Sequence, residues 1–191
     1  MEPMTFSAVP EWEAWLAEHH DSAGEAWLRI AKKGAATPTI SAAEAGDVAI
    51  CFGWIDSQRR GFDAAHFLQR YSPRRKGARW SQVNVERAEA LIAAGRMRPA
   101  GHAQIEAAKV DGRWAAAYPA QRDARTPADL EAVLAQRPAA AERFANLDKT
   151  SRYAVILKLT SAPSPAARQK RLSALTDLLE SGAPIPPPQV G

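Results

Sequence analysis

Alternation of apolar and polar residues, the period of a half-buried strand, occurs in only three short stretches of this 191-residue chain, all of them before Ser72-Pro73. From Ser81 onward the apolar residues recur at helical spacing instead. Segregated elements of this kind predict an α+β fold: a small N-terminal antiparallel sheet with covering helices, followed by a mainly helical C-terminal half.

The strands are expected at Glu25 to Lys32, Trp54 to Arg60 and His66 to Tyr71, the last two forming a hairpin about Gly61 and Asp63. In the first hairpin strand, simple alternation puts Trp54, Asp56, Gln58 and Arg60 on one face. Pro10 to His20 reads as a short helix with Trp12, Trp15, Leu16 and His19 on one side. Ser41 and Glu44 form a capping box before an apolar helix that ends near Phe52, with Gly53 as its left-handed stop. Ser81 caps a helix to Ala94, Pro99 to Val110 is the next, and Thr126-Pro127 and Ser164-Pro165 open later ones. The expected organisation is residues 1–120 as an α+β region, 121–182 as a helical region, separate or packed into the same unit, and 183–191 as a Pro-rich disordered tail.

Charge is distributed unevenly. Between Asp56 and Trp80 there are seven Lys and Arg residues against two Asp, a local +5 in a chain whose total is +4. Arg74, Arg75, Lys76 and Arg79 immediately precede the helix capped by Ser81, whose free amides around Asn84 also favour negative charge. Arginine forks grip phosphate or carboxylate in pairs of hydrogen bonds, and Trp80 would stack on a base or ring. The candidate ligand-binding set is therefore Arg74, Arg75, Arg79, Trp80, Ser81 and Asn84, extended by Arg113 and Trp114 of a second Asp-Gly-Arg-Trp group. The same arginines would equally serve as structural caps or pair with Glu86 or Glu89. Asp56 beside Trp54 is a candidate general base, or the partner of Arg59, Arg60 or Arg70 in a structural pair. Arg168 and Arg171, three residues apart on the last helix, are aimed at one partner, ligand or carboxylate.

Several classes of function are disfavoured. A single cysteine, Cys51 in an apolar run, makes no internal disulfide and reads as a buried small hydrophobe. The four histidines lack metal-ligand spacing, and no dinucleotide, Walker or nucleophile-elbow motif is present, so neither a metal nor a cofactor is expected. With no apolar run of signal or membrane-span length, a cytoplasmic protein without membrane insertion is the expectation.

Phe52-Gly53-Trp54-Ile55-Asp56, Ser72-Pro73-Arg74-Arg75, Trp80-Ser81 with Asn84, Gly95-Arg96-Met97, Gly101 and Asp111-Gly112-Arg113-Trp114 together resemble the YdeI/OmpD-associated family of bacterial proteins. The resemblance runs from about Trp12 to Leu179 and includes Arg168 and Arg171. It implies bacteriocin protection and tolerance of cationic antimicrobial peptides, in association with an outer-membrane porin, and it brings no catalytic residues. Joined with the basic loop, it points to a protein that binds nucleic acid, a nucleotide or another phosphorylated ligand. The alternatives are an enzyme on an anionic substrate with Asp56 as base, and an adaptor with a protein partner.

Overall fold

The structure is a computed structural model that describes residues 2–186. Among the described residues it has eight α-helices and three strands, an α+β fold with all the strands in the N-terminal part. The chain divides into two compact units, the first ending at Ala117 and the second beginning at Tyr118.

In the first unit, β1 (Ala26–Ala31), β2 (Trp54–Gly61) and β3 (His66–Pro73) form an antiparallel sheet of order β1-β3-β2. Residue 4 joins beside β1: the Met4 amide donates to the Trp27 carbonyl at 2.8 Å, and the Met4 carbonyl accepts from Arg29 at 2.8 Å. One sheet face carries Ala26, Leu28, Ile30 and Tyr71 and is buried. Against it lie α1 (Val9–His19) and α2 (Ala42–Cys51), which contribute Trp12, Leu16, Val48 and Ile50 to the same core. A buried indole usually finds a partner for its N–H. Trp12 donates to the Ala45 carbonyl at 3.1 Å and Trp54 to that of His20 at 3.0 Å, which ties α1 to α2 and to β2.

The hairpin departs from simple alternation. Asp56 is registered opposite Tyr71, but the next pairs are Arg59 with Gln69 and Arg60 with Leu68, so Ser57 and Gln58 together face the single residue Arg70. An extra residue reverses the side-chain parity beyond it. Arg59 thereby joins the face of Asp56, while Arg60 moves to the opposite face, correcting the shared face expected for Asp56, Gln58 and Arg60. Buried Gln69 stabilises the irregularity, donating to the Gln58 carbonyl at 3.2 Å and accepting from Arg59 Nε at 2.9 Å.

The expected caps are in place. The Ser41 hydroxyl accepts from the Glu44 amide while the Glu44 carboxylate accepts from the Ser41 amide, and Gly53 follows α2 with φ +75°. Ser81 caps α3 (Gln82–Ala93) by accepting from Asn84. α4 (Pro99–Val110) then crosses α2 closely: a Cβ on Gly101 would stand 2.4 Å from the Cys51 carbonyl oxygen and 2.8 Å from that of Ile50. Cys51 itself is buried, and burial pushes its thiol pKa up, as for an inert packing residue.

The second unit contains α5 (Ala128–Gln136), α6 (Pro138–Ala145), α7 (Lys149–Thr160) and α8 (Pro165–Glu180), preceded by a 3-10 turn at Gln121–Asp123. Its core is built from Leu130, Leu134, Phe144, Val155, Ile156, Leu159, Leu172, Leu175 and Leu179. Pro127 occupies the cap position of α5 with no side-chain cap bond, in place of the start expected at Thr126. Asp148 caps α7, accepting from the amides of Thr150 and Ser151. Of the expected tail, residues 187–191 lie outside the described residues; before them, Ile185 is half-buried against the second core.

Gly101→Ala should lower stability by about 1–3 kcal/mol in urea denaturation, because backbone oxygens cannot yield to the new methyl. Gly24→Ala, where a Cβ meets nothing within 4 Å, should be neutral or slightly stabilising. Equal effects at the two glycines would contradict the close helix crossing.

Candidate functional site

The basic segment divides by direction. Arg74, which follows β3, is turned inward and is only 5 % exposed. Its guanidinium lies over the Trp80 ring, 3.7 Å from the centroid, and Nη1 donates to the Arg79 carbonyl at 3.0 Å. Its backbone amide donates to the Gly53 carbonyl, fixing the loop to the end of α2. Trp80 is 2 % exposed and meets Trp114 edge to face, with ring centroids 4.8 Å apart. Arg113 completes the assembly: Nη1 donates to the Ala78 carbonyl at 2.6 Å, and Nε sits 2.8 Å from both carboxylate oxygens of Asp111. The Arg113 guanidinium holds the Asp111 carboxyl below the usual carboxylate range.

Five of the eight candidate ligand-binding residues are thus occupied in building the loop. Arg74, Trp80, Arg113 and Trp114 form a staple across it, and the Ser81 hydroxyl is engaged as a helix cap. Trp80, expected to stack on a base, is buried, with Arg74 over its ring and Trp114 meeting it edge to face. Arg79 is half-buried and Asn84 half-exposed, while Arg75 and Lys76 are exposed just before Gly77, whose φ is +78°.

The uncovered face of the sheet completes the outward set. Register places Trp27 opposite Arg70, and both Arg29 and Arg60 opposite Leu68, all on the face away from the helices. Arg60 lies over the Trp27 ring at 4.8 Å. Arg70 donates to Glu25 at 2.6 Å and to the Ser57 hydroxyl at 3.1 Å, and this arginine lowers the Glu25 pKa. Two clefts adjoin here. One, of about 620 Å³, is lined by Glu25, Trp27, Gln58, Arg60, Leu68, Arg70 and Arg75. The other, of about 380 Å³, includes Asp56, Ser57, Arg70, Ser72, Arg75 and Lys76. Arg70 and Arg75 line both. Four cations face two carboxylates across the pair of clefts, an arrangement that favours an anion with more than one charge.

Asp56 is exposed on the edge strand, and the ion pairs expected with its arginine neighbours do not form: Arg70 pairs with Glu25, and Arg59 with Gln69 while lying over Phe67. The further basic groups are also committed to structure. Arg98 pairs with Glu13 and Lys109 with Glu106. Arg168 grips Asp129 through two bonds, of 2.6 and 2.8 Å, and donates to the Leu159 carbonyl; Arg171 donates to that of Lys158. Both arginines therefore complete the C-terminus of α7. Asp129 is held below its ordinary pKa by the Arg168 hydrogen bonds. Among the described residues no group of His, Cys, Asp and Glu is placed to hold a metal ion.

Residues 123–182 match the sequence model of the family described as Bacteriocin-protection, YdeI or OmpD-Associated. The match to the YdeI/OmpD-associated family is thus confined to the second unit. Residues 4–104, just over half of the chain, match that of a domain of unknown function (DUF8412) and belong to that family. No curated protein and no solved structure matches the chain. Most of the motifs that carry the resemblance, from Phe52 to Gly101, thus fall in the domain of unknown function, and Arg168 and Arg171 lie within the YdeI/OmpD-associated segment. Trp27 is not among the candidate ligand-binding residues of the sequence, and Arg60 and Arg70 enter there only as structural partners of Asp56. Their signal was the alternation of β1 and β3, but their meeting depends on the strand register.

The staple should be visible as stability. Arg74→Ala is expected to cost about 2–4 kcal/mol in urea denaturation, whereas exposed Arg75→Ala should stay within about 0.5 kcal/mol of the parent. A neutral Arg74→Ala would contradict the inward assignment.

Proposed function

We propose that the protein is a binding module whose first unit receives a phosphate-bearing ligand, nucleic acid or nucleotide, on the uncovered face of its sheet, with Arg60, Arg70, Arg75 and Lys76 as the contacts. The observation that carries this reading is the position of Arg70 and Arg75, shared by two adjoining clefts; among the described residues of the first unit no helix lies over the face that carries Arg60 and Arg70. Trp27 beneath Arg60 supplies a ring on that face for stacking. A pre-built loop also lowers the ordering cost of binding, since the staple has already fixed its ends.

The bacteriocin protection named in the description of the family fits such a module if it acts through an anionic ligand. A cationic face repels cationic peptides and would not sequester them. We place the protein in the cytoplasm, where nucleic acid is the abundant polyanion and a lone buried cysteine needs no oxidising environment. No helix among the described residues is long and apolar enough to cross a membrane.

A second reading, catalysis on an anionic substrate, is favoured by Asp56 lining the smaller cleft with Arg70, Arg75 and Lys76. Replacement separates the two. Asp56→Asn removes a repelling carboxylate and should leave polyanion binding unchanged or tighter, whereas a base would be indispensable for turnover. The adaptor reading has less support: among the described residues the exposed large apolar residues are Phe62 in the β2–β3 turn, Val83 on α3 and Val110 at the end of α4.

Titration of a labelled single-stranded oligonucleotide, and of a nucleotide, at two ionic strengths tests the reading. Four phosphate contacts on a single strand predict about a fiftyfold loss of affinity between about 50 and 200 mM salt. Arg75→Glu should weaken binding by about tenfold and flatten the salt dependence. Absence of binding at low salt, or unaltered binding by Arg75→Glu, would remove the proposal.

A further inference from the structure

The second unit contains a cationic cleft that the basic loop does not explain. It has a volume of about 460 Å³ and lies between the 3-10 turn and α7, lined by Gln121, Arg122, Ala124, Lys149, Arg152, Tyr153 and Ile156. The volume is within the range of about 300–1,000 Å³ typical of small-molecule sites.

Its construction is amphipathic. Ile156 and Tyr153, 4 % and 8 % exposed, form the floor together with half-buried Ala124. The Tyr153 hydroxyl donates to the Pro119 carbonyl at 3.0 Å, holding the 118–124 segment against α7. Apart from Gln121, the polar side chains at the rim are three cations, with no carboxylate among the lining residues. Arg152 is fixed in place, donating to the Ala145 carbonyl at 2.7 Å and lying over the Phe144 ring at 5.6 Å. Asp123, which pairs with Arg122 at 3.2 Å, is a largely exposed neighbour of the rim. Asp148 already takes the Thr150 and Ser151 amides, so attraction for an anion here comes from side chains and not from the start of α7.

We propose that this cleft binds an organic anion with an apolar body, a carboxylate or phosphate head on a hydrocarbon chain: the head meets Arg122, Lys149 and Arg152, and the chain lies on Ala124, Tyr153 and Ile156. A nucleotide suits it less well, because Gln121 is the only uncharged side-chain amide available to read a base edge. The site is independent of the sheet face in the first unit.

Calorimetric titration with laurate below its micelle concentration tests the proposal on the full chain, with dodecyltrimethylammonium as the cationic counterpart. Flotation with phosphatidylglycerol vesicles, against phosphatidylcholine vesicles, tests whether the source of the head group is a bilayer lipid. Arg122→Glu and Lys149→Glu alter exposed side chains, and an acid in the first turn of α7 favours the helix, so both variants should fold. Each should weaken laurate binding by about tenfold, while oligonucleotide binding by the first unit is unchanged. Capture by phosphatidylglycerol vesicles alone, lost in the same variants, would assign a lipid head group as the source. Binding of neither probe, equal binding of the cationic amphiphile, or variants that bind like the parent would overturn the proposal.

Discussion

The Arg74 guanidinium packed on the face of Trp80 is the contact on which the organisation of the first unit turns. A buried cation is costly to remove from water, and it persists where an aromatic face and a carbonyl replace part of its hydration. Trp80 supplies the face and Arg79 the carbonyl, both from the loop that Arg74 itself begins. With the indole held by the guanidinium and by Trp114, the start of α3 has a fixed position. Arg113 then anchors the middle of the loop through the Ala78 carbonyl. Little conformational freedom remains at either end of residues 74–80, so Arg75 and Lys76 are presented to solvent from a rigid frame.

The sheet supplies the rest of the surface. One face is consumed by Trp12, Leu16 and the apolar residues of α2, so among the described residues of the first unit the other face has no helix over it. A charged edge strand discourages pairing with other chains, and the extra residue in β2 turns Arg60 toward Trp27. The residues that charge this edge are also those proposed to meet the ligand. In the second unit the arginines that appeared available for a partner, Arg168 and Arg171, close the end of α7. The three cations of its cleft, Arg122, Lys149 and Arg152, are far less conspicuous in the sequence.

Local signals were legible where the physics is local. The Ser41 and Glu44 box, the Ser81 cap and the alternation of β1 each depend on residues within one turn or one strand, and each is present in the fold. The extra residue at Ser57 and Gln58 was not legible, since it rests on a hydrogen bond from Gln69, eleven residues away. Nor could Arg74 be told from Arg75. The two are chemically identical neighbours, and only the folded loop, which brings the Trp80 ring and the Arg79 carbonyl to Arg74, separates them. The concentration of charge was a sound pointer to a place in the chain but not to the side chains that face outward. The family resemblance was likewise read mainly from residues of the first unit, while the YdeI/OmpD-associated match itself lies in the second.

The central claim is that one basic segment is divided into arginines that build and arginines that bind. Arginine side-chain Nε–H resonances, followed by NMR while a short polyphosphate is added at low salt, test that division directly. Shifts confined to Arg60, Arg70 and Arg75, with those of Arg74 and Arg113 unmoved, are the predicted result. Movement of Arg74 and Arg113 with Arg75 unaffected would contradict the account.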